Sequence, residues 1–153
     1  METNQWFEIK VKMDVMKDDG ITKSMQFRYI VDALNFTEAE ARVIEEVKPY
    51  TSGSLDVEVE KKVRLAEIFP STDEMDDKWY KVKLLYVTID EKTQAEKETP
   101  ANILVQAGDF QYAVKNLEKG MSGSLMDWRI VKLEETQIVD VFAYKRKDEK
   151  AVD

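Results

Sequence analysis

The chain contains an internal repeat, and this repeat constrains its fold more than any other feature. Residues 6–10, Trp-Phe-Glu-Ile-Lys, match residues 79–83, Trp-Tyr-Lys-Val-Lys, at an offset of 73 positions. Residues 65–69 match residues 138–142 at the same offset. Because both ends of the unit coincide, the sequence predicts two copies of one supersecondary unit.

The middle of the two copies also matches, with short gaps. Apolar positions from Val31 to Val47 correspond to positions from Val105 to Met121 at an offset of 74, so one residue has been inserted. The tripeptide Ser-Gly-Ser at 52–54 recurs at 122–124. These gaps fall where loops are expected, which favours a duplication over a chance match.

Each copy begins with the pattern of a β-hairpin. From Phe7 to Val15, apolar residues alternate with charged ones, and this period of two is typical of a half-buried strand. Asp18-Asp19-Gly20 then supplies a turn signal, and Met25–Val31 alternates again. We therefore expect the two strands to pair antiparallel.

A helix and two further strands follow in each copy. Asn35 and Asp109 can cap the helix N-termini, and Thr37 with Glu40 offers a competing capping box. Apolar residues of the second copy recur with the period of a helix, which predicts one buried stripe. The stripe consists of Phe110, Ala113, Val114, Leu117 and Met121. Residues 57–69 and 128–142 are predicted as paired strands.

The sequence therefore predicts an α+β protein with an internal duplication of a ββαββ unit, in which one helix covers each antiparallel sheet. The predicted units are residues 1–70 and 79–144. An acidic linker, residues 71–78, joins them, and residues 145–153 form a charged tail.

Composition indicates a globular, cytoplasmic protein. Apolar residues make up 43% of the 153 positions, and no stretch approaches the roughly 18 to 20 apolar residues of a membrane helix. The N-terminal residues lack the uncharged run of a signal peptide. Cysteine is absent, which is compatible with a reducing compartment and excludes disulfides and thiolate ligands. We expect no membrane association.

The residues predict no catalytic, metal or cofactor site. Without histidine or cysteine, the commonest general base and the thiol nucleophile are missing. The run Gly120-Met121-Ser122-Gly123 is superficially similar to a nucleophile turn, but Ser-Gly-Ser follows both helices, which is typical of helix termination. The carboxylates of residues 73–77 fit no calcium-loop spacing and are interpreted as a solvated linker. No glycine-rich phosphate loop is present.

In the two first strands, a tryptophan lies on the same side of the strand as the charged residues. Trp6 shares its parity with the lysines that follow it, and Trp79 repeats this arrangement in the second copy. An aromatic plane beside lysines on a sheet is a common way to bind single-stranded nucleic acid. The alternative is packing, because large aromatic residues at strand starts can fold over a sheet edge, and the net charge of −8 favours this alternative. The candidate ligand-binding residues are Trp6, Lys10, Lys12, Trp79, Lys81 and Lys83.

The chain resembles a family of short uncharacterised Bacteroidetes proteins catalogued as a domain of unknown function. The resemblance covers nearly the whole chain and rests on five runs: residues 6–8, 31–34, 36–42, 79–81 and 140–142. It implies the fold boundaries and a bacterial source, but it implies no activity and no site residues.

Three functional hypotheses follow. The first is a non-catalytic binding or interaction module whose protein partner contacts the sheet faces. The second is a single-stranded nucleic-acid-binding protein that uses the tryptophans and lysines named above. The third is an enzyme that uses carboxylates alone.

Overall fold

The computed structural model describes residues 5–143, and these form two compact units. Unit 1 contains residues 5–64 and 138–143, and unit 2 contains Leu65–Gln137. Each unit is one four-stranded sheet with one helix against a face. The predicted α+β duplication is thereby confirmed.

Unit 1 begins with a long hairpin and a helix, continues with one strand, and receives a second strand from the end of the chain. Its elements are β1 Trp6–Met16, β2 Thr22–Asp32, α1 Phe36–Val47, a 3-10 turn Lys48–Tyr50, β3 Leu55–Val63 and β8 Ile138–Phe142. Unit 2 has the same order, except that its short extra strand comes first. Its elements are β4 Glu67–Phe69, β5 Lys78–Ile89, β6 Glu96–Ala107, α2 Phe110–Gly120 and β7 Asp127–Glu135.

The hairpins pair as their alternating sequences predict. Strand β1 pairs antiparallel with β2 from Trp6 opposite Asp32 to Met16 opposite Thr22, and β5 pairs antiparallel with β6. The turn of the first hairpin uses Gly20, which has a φ of 82°, a value that favours glycine. Strands β3 and β7 add antiparallel to β1 and β5.

The fourth strand of each sheet comes from the other sequence repeat. The sheet orders are β3-β1-β2-β8 and β4-β6-β5-β7, and both added strands are parallel to their neighbours. The register is the same in the two sheets: Val31 lies opposite Phe142, and Val105 lies opposite Phe69. The two copies thus exchange their last strands.

The predicted pairing of the last two strands within each copy is therefore wrong. β3 does not pair with β4, and β7 does not pair with β8, because each short strand lies in the other sheet. The connecting residues 64–66, Arg-Leu-Ala, and 136–137, Thr-Gln, carry none of the Gly, Asn or Asp residues that tight hairpins favour. Compact-unit boundaries accordingly fall after residues 64 and 137, inside the predicted copies 1–70 and 79–144.

Both helices begin at the predicted caps. The Asn35 side chain accepts a hydrogen bond from the Glu38 backbone N–H at 2.8 Å, and Glu38 accepts one from the Leu34 N–H at 3.0 Å. Asp109 accepts from the Tyr112 N–H at 2.8 Å. The capping box is thus formed by Asn35 and Glu38, and the competing box at Thr37 and Glu40 is not used.

Equivalent positions of the two copies occupy equivalent surroundings. Phe36, the first residue of α1, packs edge-on against Phe7 with ring centroids 5.0 Å apart, and Phe110 of α2 lies 5.0 Å from Tyr80. Val43 of α1 and Leu117 of α2 are both fully buried in the core of their unit. Of the predicted helical stripe, Ala113, Leu117 and Met121 are buried and Val114 is half-buried, whereas Phe110 at the start of the helix is 49% exposed.

The acidic segment predicted as a linker, residues 71–78, is part of unit 2 and packs against its helix. Asp76 accepts hydrogen bonds from Ser71 and, at 3.3 Å, from Asn116 of α2. A β-carbon on Gly108 would lie 2.8 Å from the Met75 carbonyl oxygen, so glycine permits this close approach. The predicted tail, residues 145–153, lies outside the described residues.

Replacing Gly120 with alanine is expected to destabilise the protein, because a β-carbon there would lie 2.7 Å from the Phe69 ring of the exchanged strand. Alanine improves helix propensity by up to about 1 kcal/mol, which opposes the overlap. Overpacking costs about 1 to 3 kcal/mol, so we expect a net loss of about 1 to 2 kcal/mol in urea unfolding.

Gly123→Ala is the matched control, since no atom lies within 4 Å of its added β-carbon. It should change stability by less than about 0.5 kcal/mol. Equal stability of the two variants would show that Phe69 does not pack on the end of α2.

Candidate functional site

Three of the predicted ligand-binding residues lie on β1 of unit 1, on the face opposite α1. Trp6 and Lys10 are half-buried, and Lys12 is exposed. Lys10 forms an ion pair with Glu58 of β3 at 3.1 Å, and Lys12 lies opposite Asp56. On the same face, Arg28 of β2 binds carboxylates of β1 and β3, namely Glu8 at 3.0 Å and Glu60.

The other three lie on β5 of unit 2. Lys81 and Lys83 are exposed, but Trp79 is only 2% exposed. The Trp79 indole N–H has no hydrogen-bond acceptor among residues 5–143. A ring with so little exposed surface offers no face on which a base could stack.

These observations weaken the predicted basic surface of unit 1. A nucleic acid gains affinity when its phosphates replace released counterions at protein cations. On this face of unit 1, two of the cations, Lys10 and Arg28, already bind carboxylates of neighbouring strands, so phosphates would have to displace them. The lysines are visible in the sequence. The sequence does not show that β3, which carries carboxylates, lies beside them.

The Ser-Gly-Ser turn after α1 has a structural role. Ser52 donates a hydrogen bond to the Asp14 carbonyl oxygen at 3.2 Å, and the Ser54 N–H donates to the Asp14 carboxylate at 3.0 Å. These hydrogen bonds hold the turn against the C-terminal end of β1.

Two further findings concern metal binding and membrane-spanning helices. Residues 5–143 bring together no group of three or more carboxylates that could hold a metal ion. Within that same part of the chain, neither helix has the length and apolar character needed to cross a lipid bilayer.

Unit 1 contains a cleft of about 430 Å³, which we call the unit 1 cleft. It lies between the C-terminal end of α1, the ends of β1 and β2 on the helix side, and the exchanged strand β8. Its walls are mostly apolar and aromatic, and two carboxylates are part of its lining. The lining residues are Met13, Val15, Phe27, Tyr29, Glu46, Val47, Tyr50, Val139, Asp140 and Phe142.

A stacked aromatic pair forms one wall of the unit 1 cleft. The rings of Tyr29 and Phe142 are 5.2 Å apart at their centroids with an interplanar angle of 19°. Tyr29 comes from β2, whereas Phe142 comes from β8, more than a hundred residues later in the chain. The exchange of β8 therefore creates this wall.

The negative charge of Asp140 affects the Tyr29 hydroxyl in this wall. Burial raises the pKa of the Tyr29 hydroxyl above 10.0, and the negative charge of Asp140 raises it further. Asp140 accepts a hydrogen bond from the N–H of the next residue, Val141, at 2.8 Å. Among the described residues, neither Asp140 nor Glu46 forms an ion pair with a lysine or arginine.

Unit 2 has a smaller cleft at the corresponding place, of about 260 Å³. There the Phe69 ring packs on Gly120, and Tyr86 occupies the position of Met13. The repeat aligns Gly120 with Glu46 of unit 1, where a β-carbon is present. In unit 1 the Phe142 ring instead stacks on Tyr29.

Sequence reasoning missed the unit 1 cleft because the cleft depends on the strand exchange. The sequence predicts Tyr29 only as a core residue of an alternating strand, and Phe142 only as the end of the repeat. One signal was present: the repeats differ at the end of the helix, where Gly120 of the second copy aligns with Glu46 of the first. A difference at that place indicates that the two copies pack differently there.

Comparison with known proteins gives one match. A protein-family model described as "Domain of unknown function (DUF4494)" matches residues 5–144. No curated protein matches. No solved structure matches either.

The burial of Trp79 predicts a large effect of its removal on stability. Trp79→Ala should lower the free energy of unfolding by about 3 to 5 kcal/mol, the range for truncating a buried tryptophan. Trp79→Phe keeps an aromatic ring and removes an N–H that has no acceptor among the described residues, so its loss should be below about 2 kcal/mol.

Urea unfolding of both variants measures these losses. If Trp79→Ala changed stability by less than about 0.5 kcal/mol, the ring would behave as a surface residue, and a stacking role would again be open to it.

Proposed function

The chain belongs to the DUF4494 family, a domain of unknown function, and we propose that it is a non-catalytic binding module whose ligand site is the unit 1 cleft. The observation that carries this proposal is the aromatic wall made by Tyr29 and Phe142. It bounds a concave space to which three parts of the chain contribute: the first hairpin, the end of α1 and the exchanged strand β8.

The size and lining of the cleft support this proposal. Small-molecule sites in proteins are concave, mostly apolar and about 300 to 1,000 Å³ in volume, with a few polar groups that orient the ligand. A cleft of about 430 Å³ fits that range. Its floor is set by buried side chains, since Met13 and Val47 both belong to the core under α1.

A binding role is preferred to catalysis on chemical grounds. The chain has no histidine or cysteine. The polar groups of the lining side chains are two carboxyls and two phenols, Glu46, Asp140, Tyr29 and Tyr50. Such groups can orient and neutralise a ligand, and no nucleophile paired with a base is among them.

The proposal places the ligand in the cleft rather than on the sheet face that carries Trp6. On that face Lys10 and Arg28 are already paired with carboxylates. Single-stranded nucleic-acid binding remains the alternative, and it rests on Trp6, Lys12, Lys81 and Lys83. A bacterial, Bacteroidetes source and a cytoplasmic location belong to the proposal as well, supported by the sequence resemblance and the cysteine-free composition.

Filling the cleft should abolish binding of a small aromatic probe. We expect 2-phenylethanol, titrated into ¹⁵N-labelled protein, to shift the amide signals of residues around Tyr29, Val47 and Phe142. In Met13→Tyr, a ring occupies the cleft as Tyr86 does in unit 2, so these shifts should disappear.

Tyr86→Met makes the reciprocal change in unit 2 and should leave the unit 1 shifts intact. The tyrosine at the equivalent position of unit 2 shows that this fold accommodates the larger ring. Absence of shifts at the cleft in the unaltered protein, with this probe and with charged probes of the same shape, would contradict the proposal. Shifts confined to Trp6 and β1 on titration with single-stranded DNA would favour the alternative.

A further inference from the structure

We propose that the ligand of the unit 1 cleft is a small organic cation, an amine or quaternary ammonium group attached to an apolar or aromatic body. This inference rests on the proposed function and adds the charge of the ligand. It follows from the combination of an aromatic wall with two carboxylates that have no cationic partner among the described residues.

The carboxylates lie on different elements and both belong to the lining. Glu46 is in the last turn of α1, and Asp140 is on β8, beside the stacked rings. Elsewhere in unit 1, three carboxylates bind neighbouring cations: Glu58 binds Lys10, and Glu8 and Glu60 bind Arg28. Among residues 5–143, the two carboxylates of the cleft are thus without a paired lysine or arginine.

The end of α1 adds to this negative potential. Carbonyl groups at a helix C-terminus carry a partial negative charge, and basic residues usually complement it. The last turn of α1 contains no basic residue and holds Glu45 and Glu46, and the first cation at this end is the C-cap residue, Lys48. In α2 the last turn itself carries Lys119.

The aromatic wall suits a cation as well as an apolar body. Faces of tyrosine and phenylalanine rings attract ammonium groups, which gain most where water is excluded. Phe142 is half-buried and supplies the accessible ring of this wall, because Tyr29 behind it is only 6% exposed; the charge of Asp140 raises the pKa of the Tyr29 hydroxyl. A cation held near Asp140 would therefore lie beside a low-polarity wall.

The charge of the ligand is tested with three probes of similar shape: phenethylammonium, 2-phenylethanol and 3-phenylpropionate. Dissociation constants come from amide shifts at the cleft in about 0.05 M salt, where surface charges are weakly screened. We expect the ammonium probe to bind about tenfold more tightly than the alcohol, and the carboxylate probe to bind most weakly.

The double variant Glu46→Gln, Asp140→Asn should reduce the preference for the ammonium probe to less than about twofold, while the alcohol binds as before. These isosteric changes affect exposed side chains, and the amide oxygen introduced by Asp140→Asn can still accept the hydrogen bond from the Val141 N–H. Glu45→Gln, on the same helix end but outside the lining, is the matched control and should keep most of the preference.

The outcomes separate this inference from the proposed function. Equal binding of the ammonium and alcohol probes, tighter binding of the carboxylate probe, or a preference that persists in the double variant would overturn the cationic ligand and leave the cleft as a binding site. No shift at the cleft with any probe would overturn the proposed function, and this inference with it.

Discussion

The parallel pairing of a short strand with the second hairpin strand is the interaction on which the rest of each unit depends. A three-stranded antiparallel sheet would leave the outer edge of β2 or β6 with unpaired backbone groups, and β8 and β4 satisfy them. The pairing also places Phe142 or Phe69 beside the end of the helix. Without these strands, the core beneath each helix would be open at that end. The exchange therefore completes both sheets, and it makes each unit depend on residues from the other sequence repeat.

Differences between the copies at a few lining positions turn one shared fold into two different clefts. Glycine at position 120 lets the Phe69 ring lie against the helix backbone, which reduces the space beside it. Unit 1 has Glu46 at the equivalent position, and there Phe142 stacks on Tyr29. The result in unit 1 is a larger space with an aromatic wall and a carboxylate at the helix end. The two copies thus share a scaffold and differ in the residues that line their clefts.

The alternating residues of β1, the Gly20 turn and the caps Asn35 and Asp109 were predictable because each depends on contacts within a few positions of the chain. Strand exchange was not predictable in this way. Residues 67–69 pair with β6 through backbone groups, and a three-residue strand leaves almost no side-chain pattern to indicate its neighbour. The same limit explains why the lysines of β1 suggested a basic surface: the carboxylates beside them come from β3, and only the pairing register reveals them. The unit 1 cleft was hidden for both reasons, since it combines residues from β2, α1 and β8.

Nuclear Overhauser contacts between backbone protons test the strand exchange most directly, because they report neighbouring strands without altering the chain. The exchange predicts parallel-strand contacts between residues 29–31 and 140–142, and between residues 103–105 and 67–69. Antiparallel contacts between β7 and β8, or between β3 and β4, would instead show that each copy closes its own sheet. That result would contradict both the topology and the unit 1 cleft that is built on it.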